Sequence, residues 1–184
     1  MLMHNWFNLD LNFLPLEDMN LIYSYDQDKS QAISLGYDSI SQECKLWMNE
    51  NNFKFYRLLL FILPPNFKNQ EIHIDGDGPG AITYAVNWNL NSNNFSMNWY
   101  REKMPGVKLK SSASADTIRY IKFQPDEVEL IETASSRGPL LFNTRIPHNV
   151  HNLDNNVRFG LSLRFVEQYD SWADTTSVFQ KWII

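Results

Sequence analysis

In the stretch Glu71-Ile72-His73-Ile74-Asp75-Gly76-Asp77-Gly78 a histidine and a carboxylate stand two positions apart, in an apolar-alternating run that breaks into glycines. In an extended strand, residues i and i+2 point to the same face. His73 and Asp75 are therefore expected side by side, with Ile72 and Ile74 on the other face, and the glycines let the chain turn sharply just past the carboxylate. An imidazole nitrogen and a carboxylate oxygen held together on a strand make two-thirds of a 2-His-1-carboxylate metal site. A His-x-Asp triplet also arises often by chance, and a strand histidine is usually an ordinary hydrogen-bonded residue. The metal reading therefore depends on a third ligand elsewhere.

The chain has four histidines, His4, His73, His148 and His151. His4 belongs to a terminal arm. His148 closes the run Leu141-Phe142-Asn143-Thr144-Arg145-Ile146-Pro147-His148, read as the end of a strand leading into a polar turn. His151 falls in that turn, before Asn152-Leu153-Asp154-Asn155-Asn156, where solvation is expected. His148 is thus the favoured third ligand and His151 its competitor. Farther on, Val157-Arg158-Phe159-Gly160-Leu161-Ser162-Leu163-Arg164-Phe165 alternates strictly. Arg158, Gly160, Ser162 and Arg164 share one face, and Phe159, Leu161, Leu163 and Phe165 the other. Two arginines on one face of a strand are costly in a core unless an anion meets them. Either the strand is exposed and its arginines lie in water, or they line a pocket for an acidic small molecule.

The elements that must position these residues read mostly as strands. Strands are expected to start near Phe55, Glu71, Ala81, Phe95, Ile118, Val128, Leu140 and Val157, punctuated by Pro64-Pro65, Asp77-Gly78-Pro79-Gly80, Asn91 to Asn94, Pro105-Gly106 and Pro125-Asp126. Residues 107 to 115 read as a polar, serine-rich, mobile segment. Residues 1 to 35 suggest a strand and an irregular arm. Ile40, Cys44 and Trp47 at helical spacing predict a short helix over 39 to 49, capped by Ser39 or Ser41. The tail from Glu167 is aromatic enough to cover the body. Short strands at this spacing predict an antiparallel sandwich or barrel: mainly β, a double-stranded β-helix or jelly-roll with a few N-terminal helical turns. We expect one domain over 1–184, with an arm at 1–52, a core at about 53–166 and a tail at 167–184.

Composition bounds the functional classes. The chain of 184 residues is 43% hydrophobic and 14% aromatic, which is ample for a sizeable core. Its net charge of −5 is dispersed, against a general nucleic-acid backbone binder. One cysteine, Cys44, excludes an internal disulfide and a cysteine-ligated zinc site, and with no signal-like N-terminus fits a cytoplasmic setting. No apolar run approaches the roughly 20 residues that span a bilayer.

The order His-x-Asp, a distal histidine, then an arginine ten positions on (158 − 148 = 10) resembles the Fe(II)/2-oxoglutarate-dependent oxygenases. His73-Ile-Asp-Gly, Tyr84-Ala-Val-Asn-Trp-Asn-Leu, Trp99-Tyr100, Asn143-Thr-Arg-Ile-Pro-His148 and Arg158-Phe-Gly-Leu-Ser-Leu-Arg-Phe165 are similar to members common in phages and marine microbes, distantly similar to the aspartyl/asparaginyl β-hydroxylases. The likeness runs from about Leu58 to Phe165. It implies Fe(II) held by His73, Asp75 and His148, and 2-oxoglutarate and O₂ as cosubstrates. It also implies Arg158 on the far carboxylate and hydroxylation of an unactivated C–H bond; a phage-encoded copy would act in the host cytoplasm. A guanidinium fork suits that carboxylate because it is planar, always charged and bidentate. One departure is that the Arg-x-Ser pair of many relatives reads Arg158-Phe159-Gly160, with the serine displaced to Ser162, so Arg164 competes with Arg158. Asn87, an amide in an apolar strand, is a further candidate contact. Two other readings stand beside this one: a non-catalytic jelly-roll module, and a cupin-type metalloenzyme that uses no keto acid. The residues name no prime substrate and no oligomeric state.

Overall fold

The computed structural model describes residues 4–68, 71–75, 83–91, 94–104, 111–113, 119–136 and 138–184. In chain order the strands are β1 (Trp6–Asn8), β2 (Gln31–Leu35), β3 (Phe55–Leu63), β4 (Ile72–Asp75), β5 (Tyr84–Asn89), β6 (Phe95–Glu102), β7 (Ser111–Ala113), β8 (Arg119–Phe123), β9 (Val128–Ala134), β10 (Leu140–Asn143), β11 (His148–Asn152) and β12 (Arg158–Phe165). Two helices, α1 (Gln42–Glu50) and α2 (Trp172–Phe179), flank them, with short 3-10 turns at Met19–Ser24, Tyr37–Ser39 and Gln180–Trp182. No helix among the described residues is long and apolar enough to cross a membrane.

The strands form two antiparallel six-stranded sheets, ordered β1-β10-β5-β12-β3-β2 and β7-β8-β4-β11-β6-β9. From β3 to β6, and again from β9 to β12, the chain alternates between sheets or folds back, so that β3 pairs with β12, β4 with β11, β5 with β10 and β6 with β9. This nesting of first with last is the wiring of a double-stranded β-helix. β1 and β2 widen one sheet at its two edges, and the β7–β8 hairpin widens the other at β4.

Alternation assigns the two faces of the first sheet. Leu58, Leu60, Ile62, Tyr84, Val86, Phe159, Leu161, Leu163 and Phe165 point outward into one apolar cluster with Cys44, Trp47 and Met48 of α1 and Phe179 of α2. Leu140 and Phe142 point inward and meet Phe95, Met97 and Trp99 of the second sheet. All eight residues of β12 are buried, because one face lies under the helices and the other faces the opposite sheet. That excludes an exposed arginine strand.

Several local expectations shift. α1 begins at Gln42, and Ser41 is its cap: the Ser41 hydroxyl accepts from the Cys44 N–H at 3.3 Å. The first 35 residues hold two strands where one was expected. Residues 111–113, expected within a mobile segment, form β7. The turn at 77–80, the glycines after Asp75 and the expected strand start at Ala81 lie outside the described residues, and β5 is described from Tyr84. His148, expected to end a strand, instead begins β11, and His151 lies in that strand and not in a turn. The sequence His148-Asn-Val-His-Asn152 carries a single apolar residue, so hydrophobic alternation gives no strand signal there.

Candidate functional site

The centre of the site is one rung of the second sheet. β4 and β11 pair directly at His73 and His148, and the two imidazole centroids lie 4.6 Å apart. Asp75 follows two residues after His73 on the same face. One ligand atom from each of His73, Asp75 and His148 lies within 4.8 Å of the others. The Nε2 atoms of His73 and His148 stand 3.2 Å and 3.8 Å from Asp75 Oδ1.

Each ring is oriented by the backbone two residues before it. Nδ1 of His73 donates to the Glu71 carbonyl and Nδ1 of His148 to the Ile146 carbonyl, both at 2.8 Å. A carbonyl oxygen can only accept, so Nδ1 carries hydrogen in both rings and Nε2 is the atom turned to the shared centre. Burial, and then the neighbouring His73, push His148 down to about 3, so it is neutral. For His73, burial pulls the pKa down, but the hydrogen bond and charge of Asp75 outweigh it and leave it above the ordinary value. Burial raises the Asp75 carboxyl, while Arg164 and the histidines more than offset that and hold it well below the carboxylate range.

The two arginines of β12 do different things. Arg164 donates from Nη1 to Asp75 Oδ2 at 2.6 Å and from Nε to the Ser162 hydroxyl at 3.0 Å. Asp75 thereby divides its oxygens, with Oδ2 to Arg164 and Oδ1 to the histidines. Arg158 is only 5% exposed, yet no carboxylate pairs with it among the described residues, and its Nε has no hydrogen-bond partner. Its guanidinium lies over the Phe95 ring at 4.8 Å and along Gly160, where an added Cβ would sit 3.0–3.3 Å from Nη1, Nη2 and Cζ. Gly160 is thus the bed of the arginine. The start of β12 is pinned from two sides: Asn91 Oδ1 accepts the Phe159 N–H at 2.9 Å, and buried Asn152 donates from Nδ2 to the carbonyls of Leu63, Pro64 and Asn156.

A cavity of about 60 Å³ joins these groups between the sheets. His73, Asp75, His148, Arg158, Arg164 and Asn87 all line it, with apolar walls that include Phe61, Leu63, Met97, Phe142 and Val150. Asn87 Oδ1 is buried with no partner. Ser162 is fully buried one rung away, opposite Asn87, and meets the site through Arg164. His151 points to the opposite face of β11, where its Nε2 meets Asn149 Nδ2 at 3.1 Å, and His4 contacts Glu132. Phe95 beneath Arg158 and the division of Asp75 between the histidines and Arg164 had no counterpart in the sequence reading; both arise from cross-sheet neighbours that no local pattern encodes.

The donor set fits a divalent first-row metal: two Nε2 atoms and one carboxylate oxygen on one side of a point, with the second coordination sphere already hydrogen-bonded. No family model matches the chain, and no curated protein matches it in sequence. Among solved structures it is similar to the non-heme alpha-ketoglutarate-dependent carbocyclase SnoK from nogalamycin biosynthesis, with 9% identity and a TM-score of 0.48 over 88% of this chain and 79% of that one. It is also similar to E. coli ycfD, with 11% identity and a TM-score of 0.40 over 94% of this chain and 51% of that one. Both likenesses are too remote to carry activity or site roles.

Proposed function

We propose that this protein is an Fe(II)- and 2-oxoglutarate-dependent dioxygenase that hydroxylates an unactivated C–H bond. The observation that carries the reading is the convergence of His73, Asp75 and His148 on one cavity that also buries the unpaired guanidinium of Arg158. In this reading an iron held by His73, Asp75 and His148 would supply the oxidising power for an O₂-dependent reaction that converts 2-oxoglutarate to succinate and CO₂.

The chain's own residues bind and orient. His73 and His148 present Nε2, and Asp75 presents Oδ1. To hold a metal, His73 Nε2 would release to solvent the proton it shares with Asp75, while His148 is already neutral. Arg164 holds Oδ2, keeping the carboxylate ionised and its plane fixed, and Ser162 anchors Arg164. Arg158 receives the distal carboxylate of the keto acid, exchanging a costly solitary charge for a bidentate ion pair. Asn87 offers its unpaired amide oxygen and its N–H groups to the cosubstrate or substrate. Phe61, Leu63, Met97, Phe142 and Val150 keep water from the reacting centre.

The test is anaerobic titration with Fe(II) and then 2-oxoglutarate, followed by an O₂-dependent succinate assay. Binding of both with succinate release supports the proposal. Absence of metal binding in a stable assembly would instead favour a structural jelly-roll. Metal binding with indifference to 2-oxoglutarate would favour a cupin-type enzyme.

A further inference from the structure

The second sheet carries another concavity on its outer side. Along β11, His148 and Val150 face the inner cavity, whereas Asn149 and His151 face outward into a groove of about 660 Å³. That volume lies within the range of small-molecule pockets, roughly 300–1,000 Å³. Its apolar side is formed by Phe123 and Val128, both buried, and by Leu130, which is 54% exposed at the groove.

The polar side is a built network. Asn149 is 3% exposed although it lies on the outer face of a sheet. Its Oδ1 accepts from Asn98 Nδ2 at 3.0 Å and from the Tyr100 hydroxyl at 3.1 Å, and the Thr133 hydroxyl donates to Asn98 Oδ1 at 3.0 Å. Asn149 Nδ2 lies 3.1 Å from His151 Nε2. An amide nitrogen can only donate, so Nε2 accepts and the hydrogen of the neutral ring sits on Nδ1. Among the described residues His151 Nδ1 has no partner and Lys68 has no ion pair, whereas Lys122 on the same rim is taken by Glu71. Burial, followed by the nearby Lys68 charge, lowers the His151 pKa and keeps the ring neutral. In a protein of net charge −5, this groove has two lysines against one carboxylate.

We infer that the outer groove is a second ligand site for a small amphipathic carboxylate. The apolar body rests on Phe123, Val128 and Leu130, and the carboxylate sits between the Lys68 ammonium and the His151 Nδ1–H. The assignment stands independently of any metal chemistry at the inner cavity.

The probe is 4-phenylbutyrate, with 4-phenylbutan-1-ol as its uncharged counterpart, titrated into the full chain by calorimetry while the histidine imidazole resonances are followed by NMR. The acid is expected to bind at least tenfold more tightly than the alcohol, and to shift His151 while leaving His148 unmoved. Lys68→Gln should weaken the acid about tenfold, with no effect on the alcohol, and Leu130→Glu should abolish binding of both. Lys68 and Leu130 are exposed, so their substitution leaves the core untouched, and the His151 shift in the unmodified protein needs no variant. The inference is overturned if the acid fails to bind, if it shifts His148 and not His151, or if Lys68→Gln binds it as well as the parent does.

Discussion

Arg158→Met is expected to make the ligand-free protein more stable and at the same time, on the proposed function, to remove most of the affinity for 2-oxoglutarate. The guanidinium is buried without a carboxylate among the described residues, and burial pushes its pKa well below the ordinary arginine value, to about 10. Such a drop corresponds to roughly 3 kcal/mol against the charged form. The penalty is full at any pH below about 10, where the group is charged both folded and unfolded, and is relieved only above that. The Phe95 contact returns about 1 kcal/mol, which the substitution forfeits. Methionine fills most of the volume, so a net gain of about 1–2 kcal/mol remains, worth roughly 2–8 °C in a chain of this size. Affinity moves the other way. Removing one partner of a desolvated ion pair costs about 2–5 kcal/mol, roughly 30- to 4,000-fold in Kd. Thermal melts of the ligand-free protein at pH 6 and pH 8 should show the same upward shift, and anaerobic calorimetry with Fe(II) and 2-oxoglutarate should show the loss, with Fe(II) binding retained. A variant that melts below the parent and binds 2-oxoglutarate equally well would refute both the solitary charge and its assigned partner.

Three further outcomes follow from the same geometry. Gly160→Ala places a Cβ 3.0 Å from Arg158 Nη1 without backbone strain, so it should displace the guanidinium by a few tenths of an ångström; calorimetry should find 2-oxoglutarate affinity down about tenfold with Fe(II) affinity unchanged. Arg164→Met strands the buried Asp75 carboxylate and should destabilise by about 3–5 kcal/mol in urea melts, opposite in sign to Arg158→Met; metal affinity should fall roughly 10- to 100-fold. His148, held neutral with a pKa of about 3, contributes stability that is full above its unfolded value of 6.5 and drains as pH falls toward 3. Between pH 6.5 and pH 5 this group should cost urea melts about 1.5–2 kcal/mol, and His148→Asn should flatten that slope.

Strand alternation made much of the architecture legible. Arg158 to Phe165 alternates so regularly that its two faces follow from the sequence, as do the strand starts at Phe55 and Phe95. The side-by-side placement of His73 and Asp75 follows from the period of a strand. The partition of the arginines does not. Arg158 and Arg164 lie on the same face of β12, and which one meets Asp75 depends on how far β4 reaches along β12 across the gap between sheets. The strand character of His148 to Asn152 was hidden for a different reason: both its faces are polar, one turned to the cavity and the other to the Asn98–Asn149–Tyr100 network.

The same inward polarity accounts for the segments outside the eight-strand core. In an ordinary sandwich the apolar faces of two sheets meet and the polar faces take the solvent. Here β12 turns Arg158, Ser162 and Arg164 inward, so its Phe159, Leu161, Leu163 and Phe165 would lie bare on the outside. That surface has to be closed by chain from elsewhere, and it is. Leu9, Leu11, Leu16 and Ile22 from the arm, Cys44, Trp47 and Met48 from α1, and Phe179 from α2 cover it. Phe53 and Trp47 stack there, and Phe165 packs on Phe53 at 4.9 Å. Cutting away the arm or the tail would therefore expose an apolar sheet face, although among the described residues neither segment supplies one to the cavity lining. The first 50 residues are the structural counterpart of a charged interior: a sheet that keeps its arginines inside needs a second core outside.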